Sequence, residues 1–309
     1  MGHHWGYLGA ITAAILFGIN ATFSKIMLGY LHPLVVSGLI YLTAGIALFF
    51  VRISPLNQRI LSLLETPTET EESINRRDIR ILVLVIFSGA FIAPILFMFG
   101  LQATTAVNTS LLLNTEALFT VLIAFIFLKE RSRTKDYLGI TIILIGAAFV
   151  TTAGDLMSLE ISTGIFGSLL IIGACLFWGI DNNLSKFICQ KRDLVFITAL
   201  KCLFGGLLLL MCSLFLGIPI FIPMITIPYL FTVGAFSIGF SILFFLFALR
   251  EIGAMKTGVI FSTSSLIGAV FATLILNEPF TLIQMVAGVG MLGGIYLLYK
   301  EPRQQSRAE

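Results

Sequence analysis

The sequence contains little charge. Only 11% of its 309 residues are Asp, Glu, Lys or Arg, whereas 58% are hydrophobic and the mean hydropathy is +1.02. A soluble domain carries about 25% charged residues and cannot hide this much apolar surface from water, so the composition excludes a soluble globular protein. The solvent that fits this chain is a lipid bilayer, in which the backbone must form helices or closed barrels.

Motifs for several kinds of chemistry are also missing. The sequence has no GxxxxGK[ST] phosphate loop, so ATP is not expected to be the direct energy source, and neither HExxH nor GxSxG occurs. Once topology is considered, the net charge of +3 leaves no basic face for nucleic acid. We therefore predict no enzyme activity, no cofactor and no metal site. The cysteines show no CxxC spacing and the histidines do not cluster: Cys175, Cys189, Cys202, Cys212, His3, His4 and His32.

Ten apolar runs of about 20 residues predict ten membrane-spanning helices. Lys and Arg concentrate in the even-numbered connections and after the last run, as the positive-inside rule expects for cytoplasmic segments. The predicted fold class is an all-α integral membrane protein, multi-pass in the cell membrane, with both termini cytoplasmic. The predicted spans are 5–29, 33–53, 79–101, 104–128, 134–154, 163–186, 193–217, 226–250, 255–277 and 280–299.

The two halves of the chain resemble each other. Residues 15–25 (ILFGINATFSK) align with residues 176–186 (LFWGIDNNLSK) at an offset of 161, and residues 106–130 align with 254–278 at an offset of 148. Each repeat then holds five spans, and this odd number inserts the second repeat in the opposite direction. We predict a first repeat at 1–154 with a cytoplasmic loop at 54–78, an inverted second repeat at 155–300, and a cytoplasmic tail at 301–309. Inverted repeats are typical of alternating-access carriers.

These stretches resemble the EamA family of the drug/metabolite transporter superfamily. The resemblance is carried by FGINATFSK and WGIDNNLSK, and by LNTEALFTVLIAFIFLKERSRTKDYLGITIILIGAAFV and STSSLIGAVFATLILNEPFTLIQMVAGVGMLGGIYL. It implies a ten-helix fold with a central cavity lined by spans 1–4 and 6–9, and export of metabolites such as amino acids. The chain departs from the family where a frequent arginine in the second span of each repeat is replaced by Ile40 and Lys201.

Eight residues within the spans are candidates for substrate binding. A charge at bilayer depth costs at least about 2.5–3.5 kcal/mol, so Glu116, Asp181 and Lys201 require an explanation. Asp181 and Lys201 either neutralise each other or face the cavity, where a charged group binds an ammonium or carboxylate group or carries a proton. The other candidates either line a pocket or contribute to helix packing. The eight residues are Phe17, Asn20, Tyr41, Asn114, Glu116, Trp178, Asp181 and Lys201.

Three further residues are interpreted as structural. Glu130 and Glu278 lie at the ends of spans and a few residues before new helices, so we expect each to cap the helix that follows it. Pro94 predicts a kink in the third span.

The predicted function is a secondary transporter that exports small metabolites, above all amino acids or related compounds, by alternating access around a midplane cavity. One alternative is a sugar-phosphate or nucleotide-sugar exchanger, whose anionic substrate needs two or more basic groups. Another is a channel or a non-transporting scaffold. The expected partners are a small-molecule substrate and membrane lipid, with protons as an open coupling ion. The expected state is a monomer or a homodimer.

Overall fold

The computed structural model describes residues 4–54, 76–127, 134–152, 163–189 and 194–299, and it contains helices and turns but no strand in these ranges. Most of the predicted loop 54–78, the tail 301–309 and Glu130 lie outside them. The helices are α1 (His4–Leu28), α2 (Pro33–Ile53), α3 (Arg76–Val85), α4 (Ala93–Ala103), α5 (Ala106–Leu112), α6 (Thr115–Phe127), α7 (Thr134–Thr151), α8 (Thr163–Cys189), α9 (Leu194–Phe215), α10 (Ile227–Phe231), α11 (Ser241–Ser262), α12 (Ser264–Leu276) and α13 (Leu282–Tyr299). α11 is broken at Gly253, whose φ of 81° is not helical, so its first part belongs to the eighth span and its last part to the ninth.

Eight stretches of helix in the described residues are long and apolar enough to cross a membrane. α7 and α13, each of 18 residues, occupy the other two predicted spans and pack against each other. The chain is therefore a multi-pass α-helical membrane protein, whereas the count of ten and the cytoplasmic termini stay predictions. The eight stretches are His4–Leu28, Pro33–Ile53, Asp78–Ala103, Ala106–Ile126, Gly164–Ser185, Val195–Phe215, Met224–Ala248 and Lys256–Leu276.

Two spans contain a π-helical segment, Ile86–Ile92 before α4 and Thr232–Phe240 before α11. In the first segment the N–H of Ala93 donates to the carbonyl of Ser88. The next residue, Pro94, has no N–H to donate. The carbonyl of Gly89 therefore receives no backbone hydrogen bond from Ala93, four residues later, or from Pro94, five residues later. The predicted kink at Pro94 takes the form of this π-helical segment.

The fourth and ninth spans are interrupted near their middles. A two-residue turn separates α5 from α6, and Thr263 alone separates α11 from α12. Both turns are tightened, because the N–H of Asn114 donates to the carbonyl of Leu111 and the N–H of Thr263 donates to that of Ile260. The side-chain amide of Asn114 also donates to Ser265 Oγ at 2.8 Å, so the two interruptions are tied together.

Helices from the two halves interleave. α1 packs against α11 and α12, α8 packs against α4 and α6, and α2 packs against α9. Small residues permit close approach, since Gly18 of α1 lies against Gly268 of α12 and Gly179 of α8 lies against Thr120 of α6. When residue numbers are shifted by 148 or 161, each of these helix contacts matches an equivalent contact of the other half. The bounds of α7 and α13 match at a shift of 148 residues.

Candidate functional site

The carbonyl oxygen of Gly89 is the meeting point of two candidate residues. The hydroxyl of Tyr41 on α2 donates to it at 3.2 Å, and the indole N–H of Trp178 on α8 donates to it at 3.1 Å. The π-helical segment leaves this oxygen without a backbone donor, and a buried backbone acceptor needs a partner. The two aromatic side chains supply that partner and are held in place by it.

A buried ion pair lies against the same glycine. Lys201 Nζ on α9 donates to Asp181 Oδ2 on α8, and Ser185 Oγ donates to Asp181 Oδ1 at 3.2 Å. The Asp181 side chain is 4% exposed and the Lys201 side chain 19%. A Cβ on Gly89 would overlap the Asp181 carboxylate, so this approach requires glycine. The two opposite charges therefore neutralise each other, whereas their facing a substrate cavity stays a prediction.

Glu116 lies within electrostatic reach of Asp181 and Lys201 but has an amide as its partner. The Nδ2 of Asn182 on α8 donates to Glu116 Oε1 at 2.8 Å and to Thr120 Oγ1 at 3.2 Å. Glu116 belongs to the first turn of α6, where the amide end of the helix favours an anion. We call this group of residues the cluster, and it includes Tyr41, Gly89, Glu116, Trp178, Asp181, Asn182 and Lys201. It holds two carboxylates and one ammonium group.

Aromatic rings border the cluster. Trp178 and Asn182 are four residues apart on α8 and share one face of the helix. The ring centroid of Phe97 lies 5.5 Å from that of Trp178. Because Gly89 accepts from both the indole N–H and the Tyr41 hydroxyl, the ring faces are the parts of these side chains that can contact a ligand.

The other three candidate residues lie elsewhere. The rings of Phe17 and Phe261 are 5.1 Å apart, and Asn114 ties the two interrupted spans together. Asn20 Oδ1 accepts a hydrogen bond from Ser24 Oγ at 3.1 Å. This bond in α1 is the repeat counterpart of the bond between Ser185 and Asp181 in α8. The five candidates that the structure brings together are Tyr41, Glu116, Trp178, Asp181 and Lys201.

Two residues of the cluster, Gly89 and Asn182, were missed by the sequence analysis. Gly89 precedes Pro94 by five residues, a spacing that deprives a carbonyl of its donor only if a π-helical turn forms there. Asn182 follows Trp178 by four residues, and this spacing could have placed it on the same helix face.

The structure corrects the role expected for Glu278. Its carboxylate oxygens accept hydrogen bonds from the N–H groups of Ala106 and Val107 at 3.0 and 2.9 Å. Glu278 therefore caps α5, which begins 172 residues earlier in the chain, and not the helix that follows it. That following helix, α13, begins with a reciprocal cap between Thr281 and Gln284.

Lys25 contacts the C-terminal end of α4, on the other side of the turn that leads to α5. Its Nζ donates to the carbonyls of Leu101, Gln102 and Thr104 at 2.6, 3.3 and 2.5 Å, at the C-terminal end of α4. The turn between α4 and α5 thus lies between a cation at a carbonyl end and an anion at an amide end. Both charges complement the helix dipoles, so this end of the bundle is closed by matched electrostatic contacts.

Apolar spanning helices around a buried cluster of charged and aromatic side chains define a multi-pass membrane protein with a polar centre. The chain belongs to the EamA-like transporter family, whose model matches residues 4–152 and again residues 165–300. This finding confirms the resemblance drawn from the sequence. It places the protein among membrane transporters and not in an enzyme family.

Individual relatives agree with this assignment. An uncharacterized transporter of Methanothermobacter thermautotrophicus is 44% identical over 295 residues, which cover 96% of this chain and 86% of that protein. The uncharacterized transporter YetK of Bacillus subtilis is 23% identical over 307 residues, covering 96% and 88%. A crystal structure of another protein shares the fold, with a TM-score of 0.64 at 17% identity over 96% of this chain and 98% of that one.

Proposed function

We propose that this protein is a secondary transporter that exports small metabolites, in particular amino acids or related compounds, by alternating access around the central cluster. The observation that carries the proposal is the cluster itself, in which Glu116, Asp181 and Lys201 lie beside Tyr41 and Trp178 in otherwise apolar spans. Charged groups in a membrane cost free energy, and a buried ion pair is seldom more stabilising than well-packed apolar residues. A polar cargo explains why such groups are present.

The packing of the two halves supports alternating access. α1 and α8 are repeat counterparts, and each packs against the corresponding helices of the opposite half. Two copies of one fold inserted in opposite directions can exchange conformations, each of which opens the centre to one side. The interrupted fourth and ninth spans meet each other through Asn114 and Ser265, and discontinuous helices are typical of carriers.

The cluster favours this function over exchange of sugar phosphates or nucleotide sugars. A phosphate needs two or more cationic groups, whereas the ammonium group of this cluster, Lys201, is paired with Asp181. A channel would need a continuous polar path through the bundle. Here Glu116, Asp181 and Lys201 are gathered in one cluster.

Amino-acid flux in proteoliposomes tests the proposal. We expect saturable flux for the wild type and at least about tenfold less for Asp181→Asn and Glu116→Gln, since each substitution removes a charge from the cluster. Gly293→Ala is the matched control, because nothing lies within 4 Å of the added Cβ. Flux that depends on a pH gradient would identify protons as the coupled ion.

Two outcomes would contradict the proposal. Folded protein that moves no amino acid would rule out this substrate class. Full flux in both variants would rule out the cluster as the transport site.

A further inference from the structure

Asn182 exposes polar surface inside the bundle and not to lipid. Its side chain is exposed, and it donates to Glu116 and Thr120 on the neighbouring α6. Phe166 and Leu169 mark the outward face of α8, and at about 100° per residue they lie about 160° and 220° from Asn182 around the helix. A polar side chain at this depth is unfavourable in lipid. Its exposed surface therefore faces a cleft between α6 and α8.

This cleft opens toward one end of the bundle. At the repeat offset of 161, Asn182 corresponds to Ala21 and Ser185 corresponds to Ser24. Ala21 and Ser24 are 1% and 0% exposed, whereas Asn182 is exposed and Ser185 partly so. The closed end is the one held by Lys25. The open end is the one that the charge pattern predicts to be cytoplasmic, from which an exported compound would arrive.

The cluster has an excess of negative charge. Asp181 is neutralised by Lys201, and Glu116 adds a second carboxylate. Asn182 donates to Glu116 Oε1. Among the described residues none donates to Glu116 Oε2, so this oxygen can accept from a ligand. A carboxylate with one oxygen held by an amide and the other without a donor among the described residues favours a cation.

We propose that Glu116 and Asn182 form a subsite for the ammonium group of an organic cation whose remaining part is apolar or aromatic. This assignment rests on the proposed transport function and names its substrate class. The ring of Trp178 lies on the same face of α8 as Asn182, where it contacts the apolar part and attracts the cation through its π face. A carboxylate on the ligand is not needed for recognition, because Asp181 already pairs with Lys201.

Fluorescence of Trp178 reports binding at this subsite directly. The chain has two tryptophans, so Trp5→Phe, at the exposed start of α1, leaves Trp178 as the single emitter. The purified protein is titrated with phenethylamine, phenylalanine and phenylacetate, which carry an ammonium group alone, both groups, and a carboxylate alone. We expect a saturable change with phenethylamine and phenylalanine and none with phenylacetate at the same concentrations.

Substitution of Glu116 separates the subsite from general aromatic binding. In the Trp5→Phe background, Glu116→Gln should weaken phenethylamine binding by about tenfold to a hundredfold, the usual contribution of a hydrogen bond to a charged group. Asp78→Asn removes a carboxylate at the start of α3 and should leave the affinity unchanged. Circular dichroism and thermal unfolding verify that each variant is folded.

Three results would overturn the assignment: phenylacetate binding as tightly as phenethylamine, an affinity unchanged by Glu116→Gln, or no fluorescence change with any probe in folded protein. The outcome is independent of transport. Binding of ammonium probes without amino-acid flux would rule out amino acids as the transported class and leave the subsite standing. Amino-acid flux without a preference for ammonium probes would refute the subsite and leave transport standing.

Discussion

The missing side chain of Gly89 lets the third span approach α8 closely. The Asp181 carboxylate occupies the space that a Cβ would take, while the Gly89 carbonyl accepts hydrogen bonds from Tyr41 and Trp178. Pro94 contributes by having no N–H to offer that carbonyl. Because Gly89 has no Cβ and Pro94 has no N–H, one ion pair and two aromatic side chains can gather around Gly89.

Gly89→Ala should destabilise the protein by about 1–3 kcal/mol, the usual effect of overpacking, and should reduce flux because the Asp181 carboxylate must move. Thermal unfolding of the purified protein and the proteoliposome assay measure the two effects. Gly293→Ala should be as stable as the wild type or more so, since alanine favours a helix interior by about 0.5–1 kcal/mol. A Gly89→Ala protein with unchanged unfolding temperature and flux would show that the close approach is unimportant.

The sequence identified the charged members of the cluster and offered the pairing of Asp181 with Lys201 as one of two alternatives. Glu116, Asp181 and Lys201 stand out because charge is rare in apolar spans, and that contrast is visible without a structure. Which charge meets which depends on how α8 packs against α6 and α9. The donor to Glu116 is the amide of Asn182, and its spacing of four residues from Trp178 is the local signal that distinguishes it from the adjacent Asn183.

At the scale of helices, hydropathy predicted the spans well and their interruptions poorly. The apolar runs mark the spans because lipid selects apolar side chains over about 20 residues. The break between α5 and α6 is a tightened turn whose Asn114 bonds to Ser265 in α12, a contact that averaging over a window cannot detect. The prediction for Glu278 was wrong for the same reason. Glu278 caps α5, which lies in the other half of the chain, and a local pattern cannot show such a contact.

Substitution of Glu278 tests that cap. Glu278→Gln removes the negative charge at the start of α5 but keeps one acceptor, so we expect a loss of about 1 kcal/mol in stability. Glu278→Ala removes both acceptors from Ala106 and Val107 and should cost more, up to about 2 kcal/mol. Thermal unfolding should rank wild type above Gln and Gln above Ala. Equal unfolding temperatures for all three proteins would show that the cap does not stabilise the bundle.

At the scale of the whole molecule, the two halves share one pattern but differ in exposure. The counterparts Ala21 and Asn182 occupy the same place in α1 and α8, yet the first is buried and the second is exposed. The repeat itself could be predicted, because enough residues coincide at offsets of 148 and 161. The open end could not, since a carrier sequence encodes two conformations of similar free energy and the repeat is common to both.

Alternating access requires that exposure move from one of these two positions to the other during transport. Single cysteines are placed at Ala21 or Asn182 in protein whose four native cysteines are replaced, and a membrane-impermeant maleimide is applied from each side. We predict that the cysteine at 182 reacts from the cytoplasmic side and the one at 21 does not react from outside without substrate. Conditions that drive transport should slow the first reaction and start the second. A cysteine at 21 that stays unreactive during transport, or two cysteines that react from the same side, would rule out alternating access.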